Sequence, residues 1–202
     1  MNLRTKVIAA LTGATVLGSA ITGVVQYNEG LSLSAYKDSA GVPTICYGET
    51  KGVNMGQRAS LSACQKQLIE SAGEHAKALD GLPMQLSDVA LIGSVDFIYN
   101  VGVAGFNSSS VKRHLKNLDY AAAGKAVLDW RYISKYQQKY PGTGWVYKGS
   151  NHWTFDCSQY INGQRNIVCW GLWERRQWQS KAIGNQFKDV DTAVAALKKA
   201  GH

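Results

Sequence analysis

The chain contains no Cys-x-x-Cys pair and its four histidines are scattered, which argues against the spacings of a zinc site or a thioredoxin-like motif. No run of lysine and arginine interleaves with aromatics, so no nucleic-acid-binding arm is expected. No internal repeat or low-complexity tract follows residue 25, and residues 1–26 hold no cysteine. Acidic residues are few, 14 against 22 lysines and arginines, for a formal charge of +8. That excess points to anionic partners, and charge alone does not choose among them.

What is present is enough for one domain. At 202 residues and 45% apolar content the chain can build a packed core. Its four cysteines, Cys46, Cys64, Cys157 and Cys169, form an even set behind an export-type N-terminus, which favours disulfides. Three connectivities are open. The sequence-local pairs Cys46–Cys64 and Cys157–Cys169 are preferred, with four buried thiols as the alternative.

Arg4 and Lys6 precede an uncharged stretch, Val7 to Val25, about nineteen residues and just enough to span a bilayer as a helix. The flanking cations place the N-terminus in the cytoplasm. Most of the stretch is Ala, Gly, Ser or Thr, so it should hold in a membrane only weakly. Ala10, Ala14, Gly18 and Thr22 recur every four residues and form a small-residue face. A cleavable signal peptide, a stable anchor and a weak, releasable anchor compete, and the composition fits the last best. Residues 1–26 are therefore set apart from a domain over 27–202.

Periodicity then predicts a hairpin over 34–48 turning at Ser39-Ala40-Gly41. An amphipathic helix is expected over 60–79, and an apolar helix from Leu86 to Tyr99 ending at Asn100-Val101-Gly102. Short helices follow near 108–117 and 119–130, then a loop-rich aromatic segment over 134–170. Closing helices are expected at 172–183 and 191–199. The class is α+β, mostly helical.

Glu29, Asp38 and Thr44 are the candidate catalytic residues. A hairpin turning at 39–41 puts Asp38 and Thr44 on opposite arms near one end, with Glu29 delivered from the preceding element. Cleaving a glycosidic bond needs one protonated carboxyl for the leaving oxygen and one ionised carboxylate to guide water or steady the sugar cation. A hydroxyl beside the latter can orient that water.

The fuller pattern is more specific. Glu29-Gly30, Tyr36-x-Asp38, Gly41, Thr44 and Tyr47-Gly48-x-Thr50 resemble the catalytic signature of the phage-type lysozymes, glycoside hydrolase family 24. The family's Glu, eight residues, Asp, five residues, Thr spacing is kept at Glu29, Asp38 and Thr44. Asn100-Val101-Gly102 with Ala104-Gly105-Phe106 resembles the end of the family's central helix. Trp130, then Gly171-Leu172 with Arg175-Arg176, resembles its C-terminal elements. The resemblance covers roughly 27–132 and 170–185. It implies a two-lobed lysozyme-like fold, a small hairpin lobe facing a helical lobe. It implies a muramidase acting on peptidoglycan between N-acetylmuramic acid and N-acetylglucosamine, with no cofactor and as a monomer. A lytic transglycosylase and a non-catalytic wall-binding protein are the alternatives.

The N-terminus resembles that of endolysins with a signal-anchor-release segment. This implies export by the host secretion machinery and tethering, inactive, in the host inner membrane through residues 7–25. Release into the periplasm would follow when a holin collapses the membrane potential. Some such enzymes are silenced by a cysteine within the anchor, a switch not open to residues 1–26 here. Either of Arg175 and Arg176 can hold Glu29 in place or lie on a helix surface. The chain departs from the family between Trp130 and Gly171, where about forty residues intervene. They read as a disulfide-pinned flap offering aromatics to sugar or peptide, or, the plainer and preferred reading, as a surface loop whose aromatics pack on each other.

Overall fold

The computed structural model describes residues 2–13, 15–38 and 41–199. Helices α1 (Leu3–Thr12) and α2 (Val16–Glu29) lead into a hairpin of β1 (Ser32–Lys37) and β2 (Pro43–Cys46). Next come α3 (Leu61–His75), α4 (Asp88–Ser108), α5 (Ser110–Leu115) and α6 (Tyr120–Val127). Strands β3 (Tyr132–Tyr136), β4 (Trp145–Gly149) and β5 (His152–Asp156) form a sheet, and β6 (Tyr160–Ile161) with β7 (Gln164–Arg165) a small hairpin. Helices α7 (Trp170–Ile183) and α8 (Val190–Lys199) close the fold. The result is α+β with helices dominating, as the sequence implies.

Helix α4 is the axis of the helical lobe. Ser87 caps it by accepting from the Ala90 N–H, and Leu91, Ile92, Val95, Phe97 and Ile98 are buried around it. Gly93 has no room for a side chain: a Cβ there would stand 2.7 Å from that of Ala182, so α4 and α7 pack backbone to backbone. At Gly102 (φ 77°) the helix breaks, where the sequence predicts its end, and helical geometry resumes to Ser108.

The N-terminal segment differs most from expectation. Instead of one helix over Val7–Val25 there are two, their axes at 87°. Gly13 closes α1, and Thr15 caps α2 through the Gly18 N–H. Leu3, Val7, Leu11, Ile21 and Val24 enter the main core, and α2 packs on α4 and α8. Gly18 meets α1 so closely that a Cβ would lie 2.0 Å from the Ala10 carbonyl oxygen. The small-residue face thus serves packing within the folded protein, although Ala14 lies outside the described residues. Lys6 pairs with Asp88 at 2.6 Å and Arg4 approaches Asp80 at 4.0 Å, so both flanking cations are anchored in the lobe. The expected boundary after residue 26 falls inside α2, which runs unbroken to Glu29.

The hairpin is antiparallel, with Tyr36 opposite Thr44 and Lys37 opposite Pro43; Ser39 and Ala40 of its expected turn lie outside the described residues. A second core of Val25, Ile45, Cys46, Tyr47, Cys64 and Leu68 joins hairpin, α2 and α3. The Cys46–Cys64 and Cys157–Cys169 disulfides both form, as preferred from the sequence. The segment expected to be loop-rich is instead a folded sheet of order β3-β5-β4. Alternation along β5 explains this: Trp153 and Phe155 point to one face, His152, Thr154 and Asp156 to the other.

Candidate active site

Glu29 is the last residue of α2, and Gly30 turns the chain away at φ 70° into the hairpin. The helix end therefore aims the carboxyl between the two lobes. Its two oxygens are in different surroundings. Oε1 is buried, 2.8 Å from Arg175 Nη2, and Oε2 faces Gly48 beyond the end of β2, where a Cβ would stand 3.6 Å away.

Arg175 is itself buried and held by a second acid. Its Nη2 donates to Asp96 Oδ1 at 2.8 Å and its Nε to Asp96 Oδ2 at 3.3 Å. Asp96 is fully buried within α4 and also accepts from Asn28 Nδ2 at 3.0 Å and Gln179 Nε2 at 2.6 Å. The guanidinium's N–H groups aim at Asp96, so Glu29 Oε1 feels the charge without a well-directed hydrogen bond. Burial pushes the Glu29 carboxyl above its ordinary value, Arg175 pulls the other way, and the Asp96 carboxylate adds to the rise. A carboxyl raised in this way keeps its proton to higher pH than a free one, as a general acid must.

Asp38 follows β1 directly, and its Oδ1 accepts the Val42 N–H at 2.9 Å across the hairpin mouth. Thr44 lies in β2, 3% exposed, and its hydroxyl donates to the Val42 carbonyl at 2.9 Å. With its proton committed, the Thr44 oxygen presents lone pairs that can accept from water. Asp38 and Thr44 thus share Val42 as a common partner, as opposite arms of a hairpin should.

Of the two candidate arginines, only Arg175 touches Glu29. Arg176 donates to the Trp130 carbonyl at 3.0 Å and to Asn100 Oδ1 at 2.5 Å, bracing the kinked end of α4. Burial and the neighbouring Arg175 lower Arg176 to about 10. Sequence reasoning did not single out Asp96, Asn28, Gln179 or Tyr99. The available signal was Asp96 itself, an acid in the middle of a largely apolar helix, which must be paired if it is buried. Tyr99 stacks on His75 at 4.7 Å and donates to the Tyr47 carbonyl at 3.4 Å, tying α4 to the hairpin end.

The phage lysozyme family model matches residues 26–144. The SAR-endolysin of Pseudomonas phage phiKMV is 35% identical over 138 residues, covering 67% of this chain and 84% of that protein. The SAR-endolysin of Bacteriophage PS34 is 29% identical over 68% of this chain and 86% of its own. Among solved structures, a lysozyme variant of phage P22 aligns at TM-score 0.56 with 25% identity, over 82% of this chain and 95% of that one. The active form of the P1 phage endolysin Lyz has the same fold, at TM-score 0.59 and 15% identity over 92% and 96%. By family match and by identity to its relatives, the chain belongs to the phage lysozyme family.

Proposed function

We infer that this chain is a phage endolysin, a muramidase that hydrolyses the β-1,4 bond between N-acetylmuramic acid and N-acetylglucosamine in peptidoglycan and so lyses the host. The observation that carries the chemistry is the Glu29 carboxyl, buried on one oxygen against Arg175, facing the hairpin end with the other and raised above its ordinary value. Glu29 gives its proton to the leaving glycosidic oxygen. The Asp38 carboxylate takes one proton from the attacking water, and Thr44 accepts a hydrogen bond from that water and aims it at the sugar carbon. No cofactor is needed for this reaction.

The same reading covers control. Export through the host secretion machinery leaves residues 7–25 in the inner membrane, with Glu29 at its surface. Leu3, Val7, Ile21 and Val24 are then missing from the core, and the acid has no formed site around it. A holin acts only indirectly, by collapsing the potential that retains the segment. The bent α1–α2 pair packed in the helical lobe supports this, as the form expected after release into the periplasm.

The test is Glu29→Gln, an amide that cannot donate the proton. Lysis of purified sacculi should fall by about a hundredfold or more, since a positioned general acid is worth that much. Wild-type digests should end in reducing muropeptides by mass spectrometry. Anhydro ends, or near-wild-type lysis by the folded variant, would overturn the reading.

A further inference from the structure

The sheet β3-β5-β4 has two unlike faces. On one, Ile133, Phe155 and Trp145 stand in one cross-strand row. Phe155 and Trp145 are buried there, beneath a cover in which Gln159 Nε2 donates to the Gly144 carbonyl at 3.0 Å and the Cys157–Cys169 disulfide clamps the chain. That face is the sheet's own small core. The opposite face carries Tyr132, Ser134 and Tyr136 on β3, His152, Thr154 and Asp156 on β5, and Val146 on β4. Tyr132 is 50% exposed, Tyr136 76% and Val146 54%. A sheet face that its own protein does not need is available to something else.

The two tyrosine rings are fixed before anything binds. Tyr136 lies flat on His152, centroids 4.6 Å apart and planes at 9°. Tyr132 has the Arg131 guanidinium over its ring at 4.9 Å, and Arg131 Nη2 donates to its phenol oxygen at 3.0 Å. Arg131 is in turn held by Asp156 through 3.1 Å contacts. Four residues apart on one strand, the rings are spaced by roughly 13 Å. Between them Ser134 and Thr154 offer hydroxyls, and His152 Nε2 lies 3.1 Å from Ser134 Oγ. Rigid, flat aromatic rings separated by small hydroxyls suit the alternating C–H faces and hydroxyl edges of a sugar chain.

Charge narrows the ligand further. Residues 131–169 contain Arg131, Lys135, Lys139, Lys148 and Arg165 against one acid, Asp156. Arg131 is paired with Asp156, Arg165 with Glu174, and Lys135 lies over Trp145 on the other face, so the excess rests on Lys139 and Lys148. A neutral polysaccharide gains nothing from that excess, whereas a glycan carrying peptide carboxylates does. The sheet is also rooted beside the acid. Its first strand starts two residues after Trp130, whose carbonyl is held by Arg176, the neighbour of the Arg175 that contacts Glu29.

We propose that the Tyr132–Tyr136 face of this sheet is an accessory binding surface for peptidoglycan, gripping glycan and stem-peptide carboxylates beyond the bond being cut. The proposal rests on the muramidase reading for the identity of its ligand. Its test uses the full chain carrying Glu29→Gln, so that sacculi are not consumed, in co-sedimentation with purified sacculi. Adding Tyr132→Ala and Tyr136→Ala should weaken binding by about tenfold or more, the effect of removing anchor aromatics. Val146→Glu, which leaves both rings in place and sets a carboxylate on the same face, should weaken it in the same direction. With Glu29 restored, the tyrosine variant should lyse sacculi slowly yet cleave a short soluble muropeptide at the wild-type rate.

Unchanged affinity for sacculi in both variants would overturn the proposal. So would a loss confined to vesicles containing phosphatidylglycerol, which would make the face a membrane contact. If wild-type enzyme released no reducing ends from sacculi, the muramidase reading would fail by itself, whatever the binding measurements gave.

Discussion

Asp96, fully buried in α4, takes the Arg175 guanidinium at 2.8 Å and thereby divides with Glu29 a cation that both contact. Were Arg175 to answer to Glu29 alone, the pair would hold the acid ionised and unable to give up a proton. Asp96→Asn removes a charge that raises Glu29 and frees Arg175 to pull on it more strongly. In the proposed mechanism the protonated acid is the working form, so the alkaline limb of the activity profile should move to lower pH. The check is sacculus lysis across a pH series, and an unmoved limb would mean that Asp96 does not tune the acid.

Glu29→Gln should do more than silence the enzyme. The folded Glu29 carboxyl binds its proton more tightly than the unfolded one, because its value is raised. The folded state therefore loses stability as pH rises from the unfolded value through the raised folded one. Glutamine has no such loss. Melting temperatures of the two proteins should be close at acid pH and separate above that window, with the variant the more stable. Wild type melting higher at neutral pH would contradict the assigned direction.

The two disulfides, closing separations of 18 and 12 residues, should each contribute about 3 kcal/mol. Their functional effects should differ. Cys46→Ala with Cys64→Ala unfastens the hairpin carrying Thr44 from α3, and turnover of a short soluble substrate should drop. Cys157→Ala with Cys169→Ala loosens the β3-β5-β4 sheet, and the same turnover should hold while lysis of whole sacculi declines. Equal losses on the short substrate would deny the separation of roles.

Two glycines in α2 should delay release for different reasons. Nothing lies within 4 Å of a Cβ at Gly23, so Gly23→Leu adds apolar area to the membrane-held form, at roughly 0.8 kcal/mol per methylene, while its Cβ meets nothing in the folded one. At Gly18 the Ala10 carbonyl stands in the way. Both variants should remain in the membrane fraction longer after the potential collapses. Only Gly18→Leu should lower the melting temperature of the soluble protein. N-terminal sequencing of released wild type should find residues 1–25 still attached, and a chain starting near Ile21 would show cleavage instead.

The sequence made the proposed trio legible because a hairpin fixes its geometry locally: Asp38 and Thr44 need only a short turn to share Val42. Helix α4 was legible for the same kind of reason, an apolar run ending at a local stop, Asn100-Val101-Gly102. The Asp96–Arg175–Glu29 arrangement was not, since its members lie 79 and 146 residues from Arg175 and meet only through packing. The bend near Gly13 was hidden for a different reason. Hydropathy reports that Val7–Val25 avoids water, and a bilayer and a protein core satisfy that equally. The β3-β5-β4 sheet was missed because its alternation is short and its aromatics occupy both faces.

The bend also sets how such a protein can change. On the release mechanism proposed above, the buried side chains between Leu3 and Val25 are judged twice, by lipid and later by Ala72, Leu91 and their neighbours in the core. A residue that suits one solvent can be penalised by the other, so drift there is bounded from two directions. Positions facing little in the folded state, Gly23 and the 70% exposed Val16, answer to lipid alone. They are where the moment of lysis can be set earlier or later, one substitution at a time, while the enzyme that emerges stays the same.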